Sequence, residues 1–152
     1  MARKAVTAPE ELIAKIESHW RTYYLSQQST DGARVGDEAQ LEITATIIDI
    51  SKRHRRFIGV PIEISLLAAR SFDRSDSGMK ATEAVFLSQM NLRQGRCSCL
   101  AYIPADAFWA LPEMLQSGAV THAQIAFEPT RHGSGVLQSI YLAPETKLEP
   151  IA

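Results

Sequence analysis

The spacing of apolar residues changes once along this chain of 152 residues. In its first part, apolar residues recur at the three- and four-residue spacing of an amphipathic helix: Leu12, Ile13, Ile16, Trp20 and Tyr23 or Tyr24. Thr7 and Glu10 fit a capping box, in which each side chain satisfies a backbone donor at a helix start. We therefore predict an N-terminal helix over about residues 8–28.

From Gln40 onwards the period becomes two, which is typical of a half-buried strand. Leu41, Ile43 and Ala45 alternate with polar residues, and a second run from Ile58 to Leu66 does the same. Pro61 lies inside the second run and has no N–H to donate, so we expect that strand at a sheet edge or at a bulge. Four further strands are predicted over about residues 82–90, 96–103, 119–128 and 136–142.

The segment from Pro104 to Gly118 has helical character, and Pro112 predicts a kink within it. The predicted fold class is α+β: a mostly antiparallel six-stranded sheet, with the N-terminal helix and a short kinked helix between strands 4 and 5. Successive hairpins favour a meander; curling into a barrel or splitting into a sandwich are the alternatives. We expect one domain over residues 1–152, with a β-rich body at about 40–143 and a loose tail at 144–152.

The overall charge limits the classes of partner. A net charge of -1 argues against general affinity for nucleic acid or anionic membrane, so only a local basic patch would provide it. The chain has no apolar run of membrane-spanning length, and its basic start leads into a segment with Glu10, Glu11 and Glu17, unlike a signal peptide. We expect a cytoplasmic protein with no membrane partner.

Three predicted hairpin loops, at residues 51–56, 91–96 and 130–135, contain basic residues and neither Asp nor Glu. Alternate connections of a meander lie at one end of the sheet, so these loops are expected to form a single basic edge. The predicted binding residues are Lys52, Arg53, His54, Arg55, Arg56, Arg93, Arg96, Arg131 and His132. Asp73, Asp76 and Asp106 are expected at the opposite end.

The leading functional hypothesis is a non-enzymatic binding or adaptor domain. It would engage an acidic surface of another protein through the basic loops or through an exposed edge strand near Pro61. The alternative is binding of the nucleic-acid phosphate backbone by the same loops, although only Phe57 is available for base stacking. An edge strand also leaves a homodimer open. The competing interpretation is that exposed hairpin tips carry charge for solubility alone.

A third class is a small-ligand binder or an enzyme with a pocket between sheet and helix. His122 with a strand acid, Glu42, Glu63 or Glu83, would be its acid–base pair. We favour a protein that is not an enzyme, because the sequence contains no nucleophile motif, phosphate loop or metal spacing. No catalytic residue is therefore assigned.

We predict no metal site and no cofactor. Cys97 and Cys99 lie two residues apart in one predicted strand, where a disulfide is unfavourable, so we expect two buried free thiols. Asp73 to Gly78 resembles the start of a calcium-binding loop, but Ala84 stands where such a loop needs a bidentate Glu.

Overall fold

The computed structural model describes residues 8–27, 29–73 and 80–151. The strands are β1 (Glu10–Gln27), β2 (Arg34–Ile50), β3 (Pro61–Asp73), β4 (Lys80–Ala84), β5 (Phe86–Arg93), β6 (Arg96–Tyr102), β7 (His122–Phe127) and β8 (Ser134–Ala143). Helix α1 spans Ala105–Gln116, and two short 3-10 helices span Lys52–Phe57 and Glu145–Lys147. The Asp76 prediction and most of the calcium-loop candidate lie outside the described residues.

Seven of these strands close into a barrel. The order of neighbours is β2, β1, β7, β8, β5, β6 and β3, and pairing of β2 with β3 closes the ring. β4 pairs with β3 alone, beyond the part of β3 that contacts β6. The pairing of β3 with β6 is parallel, and the other described pairings are antiparallel. The predicted α+β class with a six-stranded sheet is therefore wrong.

The predicted N-terminal helix is also wrong, since those residues form β1. The β1–β2 register has two irregularities. The one between Ile13 and Ala14 adds Ile48 to β2, and the one between Ile16 and Ser18 adds Glu17 to β1 and interrupts the strict alternation of that strand. A bulge adds a residue to one strand and shifts which face the following side chains occupy. The resulting spacing of apolar residues imitates a helical period, and pairing with β2 along almost the whole strand overrides it.

Pro61 is the first residue of β3, a position where its missing N–H is tolerated. β3 pairs with β2, with β6 and with β4, so it is an interior strand. The predicted exposed edge near Pro61 is therefore wrong, and that edge is not a candidate docking surface.

One more expectation about the strands needs correction. The predicted third strand is two strands, β4 and β5, separated at Val85. In the predicted tail, Glu149 contacts β7: the side-chain amide of Gln124 donates to the Glu149 carbonyl at 3.0 Å, and its oxygen accepts from the Glu149 N–H at 3.1 Å. α1 is a single helix that contains Pro112.

The barrel interior is the hydrophobic core. Alternate residues of β2, β3 and β6 point inwards, among them Ile43, Ile64 and Cys99, and Phe108 of α1 packs against the same core. Cys97 and Cys99 are both buried and unbridged, which confirms the predicted free thiols. Burial raises the pKa of the Cys99 thiol to about 12. None of the described residues forms a helix long and apolar enough to cross a membrane.

The two ends of the barrel differ. One end, called the basic end below, consists of the first residues of β1 and the connections β2–β3, β5–β6 and β7–β8. At the other end β1 continues along β2 as far as Gln27, although β7 accompanies β1 only to Lys15. The strands β1, β2, β3 and β4 therefore continue past the barrel as a sheet extension.

Candidate functional site

The structure brings the three predicted basic loops together at the basic end. Arg53 donates from Nη2 to the Thr130 carbonyl at 2.8 Å, which joins the β2–β3 connection to the β7–β8 connection. The Leu92 N–H donates to the Gly133 carbonyl at 2.7 Å, which joins the β7–β8 connection to β5. The β7–β8 connection thus lies between the other two and contacts both.

Eight of the nine predicted binding residues are exposed there: Lys52, Arg53, Arg55, Arg56, Arg93, Arg96, Arg131 and His132. Seven of these carry a positive charge at neutral pH, although the whole chain has a net charge of -1. The cations come from three separate connections, so the fold concentrates charge that the composition does not reveal.

His54 is the exception, because it is buried and not a solvated loop tip. Its Nε2 lies 2.5 Å from Glu10 Oε2, and its ring packs near Phe57 and Phe127 with centroid distances of 6.2 and 6.3 Å. Its Nδ1 is buried with no hydrogen-bond partner among the described residues. His54 therefore anchors the 3-10 helix to β1 and is unavailable to a partner molecule.

Glu10 places an acid at the basic end that the loop sequences did not reveal. Besides His54, its carboxylate contacts Arg53, with Oε1 3.6 Å from Nη1. Arg53 is thus held from two sides, by Glu10 and by the Thr130 carbonyl, while more than half of its side chain stays exposed. The sequence signal was missed because Glu10 was assigned to a helix and not to the strand beside β7.

A glycine in the β7–β8 connection allows the loops to approach so closely. Gly133 has φ +82°, and a Cβ there would lie 2.8 Å from the Leu92 carbonyl oxygen. His132 before it has φ +52°, and Arg131 and Ser134 exchange backbone hydrogen bonds around the pair. Two successive residues with positive φ match the type I′ turn that suits a two-residue hairpin.

Clefts open beside the exposed cations. Gln89, Asn91, Arg93, Arg96 and Ser98 line a cavity of about 410 Å³ on the outer face of β5 and β6. A second cavity of about 470 Å³ is lined by Glu128, Pro129, Arg131, Ser134, Gly135, Val136 and Gln138. Both are shallow. The first has a polar lining with two arginines, which suits an acidic side chain of a partner. The second combines Arg131 and Glu128 with apolar Pro129 and Val136.

The acid–base pair considered for an enzyme does not assemble among the described residues. His122 is buried, and its Nδ1 shares a hydrogen bond of 2.8 Å with Thr121 Oγ1. Glu42 accepts instead from Ser65 Oγ and from the Gln40 amide, on the β2–β3 side of the barrel. The described residues also contain no group of three His, Cys, Asp or Glu able to hold a metal ion.

Comparisons with protein-family models, with curated proteins and with solved structures find no significant match to this chain.

Proposed function

We propose that the protein is a non-enzymatic binding domain whose basic end engages an acidic surface of another protein. The observation that carries this proposal is the convergence of three cation-bearing connections, two of which contact the β7–β8 connection between them. Arginine is suited to such a contact because its planar guanidinium donates two parallel hydrogen bonds to a carboxylate.

Exposed aliphatic residues beside the cations support a protein partner. Ile58 follows the 3-10 helix directly and is 47% exposed, and Val136 lines the second cavity and is 52% exposed. Protein interfaces combine arginine with apolar contact area. Binding of single-stranded nucleic acid would instead require exposed aromatic rings for base stacking. Phe57, the aromatic residue considered for that role, is buried, and Arg56 covers it at 4.7 Å.

We propose a cytoplasmic site of action for this binding. Buried free thiols such as Cys97 and Cys99 are typical of a reducing compartment, and this is the support for the location.

The test is fluorescence anisotropy of a labelled glutamate-rich peptide and, separately, of a labelled mixed-sequence single-stranded oligonucleotide of equal charge. The variant is Arg55→Ala/Arg56→Ala/Arg131→Ala, which avoids the structural contacts of Arg53. Its matched control is Lys15→Ala/Arg34→Ala/Lys147→Ala, which removes three exposed positive charges outside the basic end.

We expect the wild type and the control to bind the peptide, and the variant to lose at least about tenfold in affinity. If the variant and the control lost equal affinity for the peptide, the effect would come from net charge alone, which would contradict a specific site. Preference for the oligonucleotide, with steep weakening by salt, would replace the protein partner with nucleic acid.

A further inference from the structure

The outer edge of β1 has no strand partner among the described residues from Glu17 to Gln27. β7 pairs with β1 over Glu10 to Lys15, and the Ile16 N–H donates to the Thr121 carbonyl at 2.9 Å. The opposite edge of β1 stays paired with β2 as far as Gln27. About eleven residues, roughly 37 Å of strand, therefore present unpaired backbone N–H and C=O groups.

Beyond its first residues this edge has little protection against pairing with another strand. Natural edges are blunted by proline, by bulges, by charge or by a covering helix or loop. Here the bulge is at Glu17, where the edge begins, and Trp109 of α1 contacts Arg21, with its ring centre 5.8 Å from the guanidinium carbon. Residues 17–27 contain neither proline nor glycine, and their charged residues are Glu17 and Arg21. Four large apolar side chains on the same segment are strongly exposed: Trp20 at 53%, Tyr23 at 55%, Tyr24 at 67% and Leu25 at 58%.

The sequence of the edge is partly symmetric about Thr22. Of the positions equally distant from Thr22, Ser18 and Ser26 are identical, and Trp20 with Tyr24 and Glu17 with Gln27 are alike; Arg21 with Tyr23 and His19 with Leu25 differ. In an antiparallel pair of identical strands related by a two-fold axis at Thr22, these are the residues that lie directly opposite each other. The symmetry centre coincides with the middle of the unpaired edge.

We propose that β1 pairs antiparallel with β1 of a second copy of this chain, centred on Thr22, and forms a homodimer. Aromatic cross-strand pairs are among the most stabilising, and the arrangement provides Trp20 opposite Tyr24 twice. It also provides Arg21 opposite Tyr23 twice, a cation–π contact. No pair in this register places like charges opposite each other.

The length of the free edge selects this register. A two-fold axis closer to the start of β1 would bring the partner strand against residues already paired with β7. An axis closer to Gln27 would leave the start of the edge without a partner in β1; with the axis at Tyr23, this already applies to Glu17 and Ser18. Centring on Thr22 uses the whole edge. The interface is on the sheet extension and is independent of the basic end.

The first test is the oligomeric state of the full chain by sedimentation equilibrium over a range of concentrations. Trp20→Lys/Tyr24→Lys places lysines directly opposite each other in the proposed register, while both side chains are exposed in the monomer. Circular dichroism shows whether this variant folds. We expect a dimer for the wild type and, for the lysine variant, a dissociation constant raised by more than about tenfold.

The second test measures the register by disulfide cross-linking, under mild oxidation, of variants that each carry one added cysteine. Thr22→Cys lies opposite its own copy and is expected to form a covalent dimer. Tyr24→Cys, the control, lies opposite Trp20 and is expected to stay monomeric on a non-reducing gel. A monomeric wild type at all concentrations would overturn the proposal, as would a dimer that Tyr24→Cys traps and Thr22→Cys does not.

Discussion

The basic end and the sheet extension show two ways of treating exposed backbone in one barrel. At the basic end, short connections hold each other through backbone and arginine hydrogen bonds, such as Leu92 to Gly133 and Arg53 to Thr130. In the extension, β1 follows β2 to Gln27 and leaves its other edge unpaired. The basic end presents a fixed set of charges. The sheet extension presents a strand edge whose backbone N–H and C=O groups can pair with another strand.

The difference extends to the polar networks. The basic end contains the buried His54–Glu10 contact, which anchors a loop to a strand. The extension contains Asp37, which accepts from Arg70 Nη2 at 2.6 Å and from Tyr23 Oη at 3.1 Å and so links three neighbouring strands. Charged side chains therefore hold a loop against a strand at the basic end and hold neighbouring strands together in the extension.

The largest expected effect on stability comes from the loop crossing at the basic end. Gly133→Ala puts a Cβ 2.8 Å from the Leu92 carbonyl oxygen at φ +82°, whereas Gly95→Ala has a similar φ of +80° and open space. We expect Gly133→Ala to lower the free energy of unfolding by about 2–4 kcal/mol and Gly95→Ala by about 1–2 kcal/mol, measured by urea denaturation. Equal losses would mean that the close contact contributes nothing.

The next effect tests the anchor beneath the exposed cations. Glu10→Ala removes the partner of buried His54 and one contact of Arg53. We expect a loss of about 1–3 kcal/mol in the free energy of unfolding, because a buried ring nitrogen is left without its partner. Glu17→Ala, an exposed acid on the same strand, is the control and should change stability by less than about 0.5 kcal/mol. Similar losses for both would leave the anchor without support.

The third prediction concerns acid and the sheet extension. The hydrogen bonds from Arg70 lower the pKa of Asp37, so its stabilising contribution is present at neutral pH. As the pH falls through this lowered pKa, the carboxylate is protonated and the contribution is lost. Arg70 is 40% exposed, which reduces the effect, and we expect Asp37→Asn to cost about 1 kcal/mol at pH 7.

Chemical denaturation from pH 7 downwards measures this contribution. The stability difference between the wild type and Asp37→Asn should shrink as the pH falls below the ordinary range of an aspartate. A difference that stays constant with pH would show that the ion pair is not its source.

The smallest expected effect on stability separates binding from folding at the basic end. Arg55→Ala/Arg56→Ala/Arg131→Ala changes exposed side chains and should alter the free energy of unfolding by less than about 0.5 kcal/mol for each substitution. Thermal unfolding of the variant measures this. A large drop in stability would mean that these arginines serve the fold.

The local strand patterns were readable from the sequence wherever alternation was strict. The alternating residues of β2 from Leu41 to Ile47 and the strand β6 lie as predicted, and Cys97 and Cys99 are buried as expected. β1 was not readable, because a bulge at Glu17 breaks its period and its strand character depends on distant pairing. Closure of the barrel through β2 and β3 is likewise a long-range pairing without a local signal.

The candidate site follows the same division. The cations of the three connections were found from the sequence because they are local runs without acids. The burial of His54 and the presence of Glu10 beside Arg53 were missed, since both depend on the position of β1 relative to β7. Errors about one strand thus became errors about the site.

The most direct test of the basic end as a binding surface is an NMR titration of the ¹⁵N-labelled protein with the glutamate-rich peptide. We predict chemical-shift changes confined to residues 52–57, 93–96 and 130–133, with residues 17–27 unaffected. Changes concentrated on the sheet extension, or spread evenly over the barrel, would contradict the account.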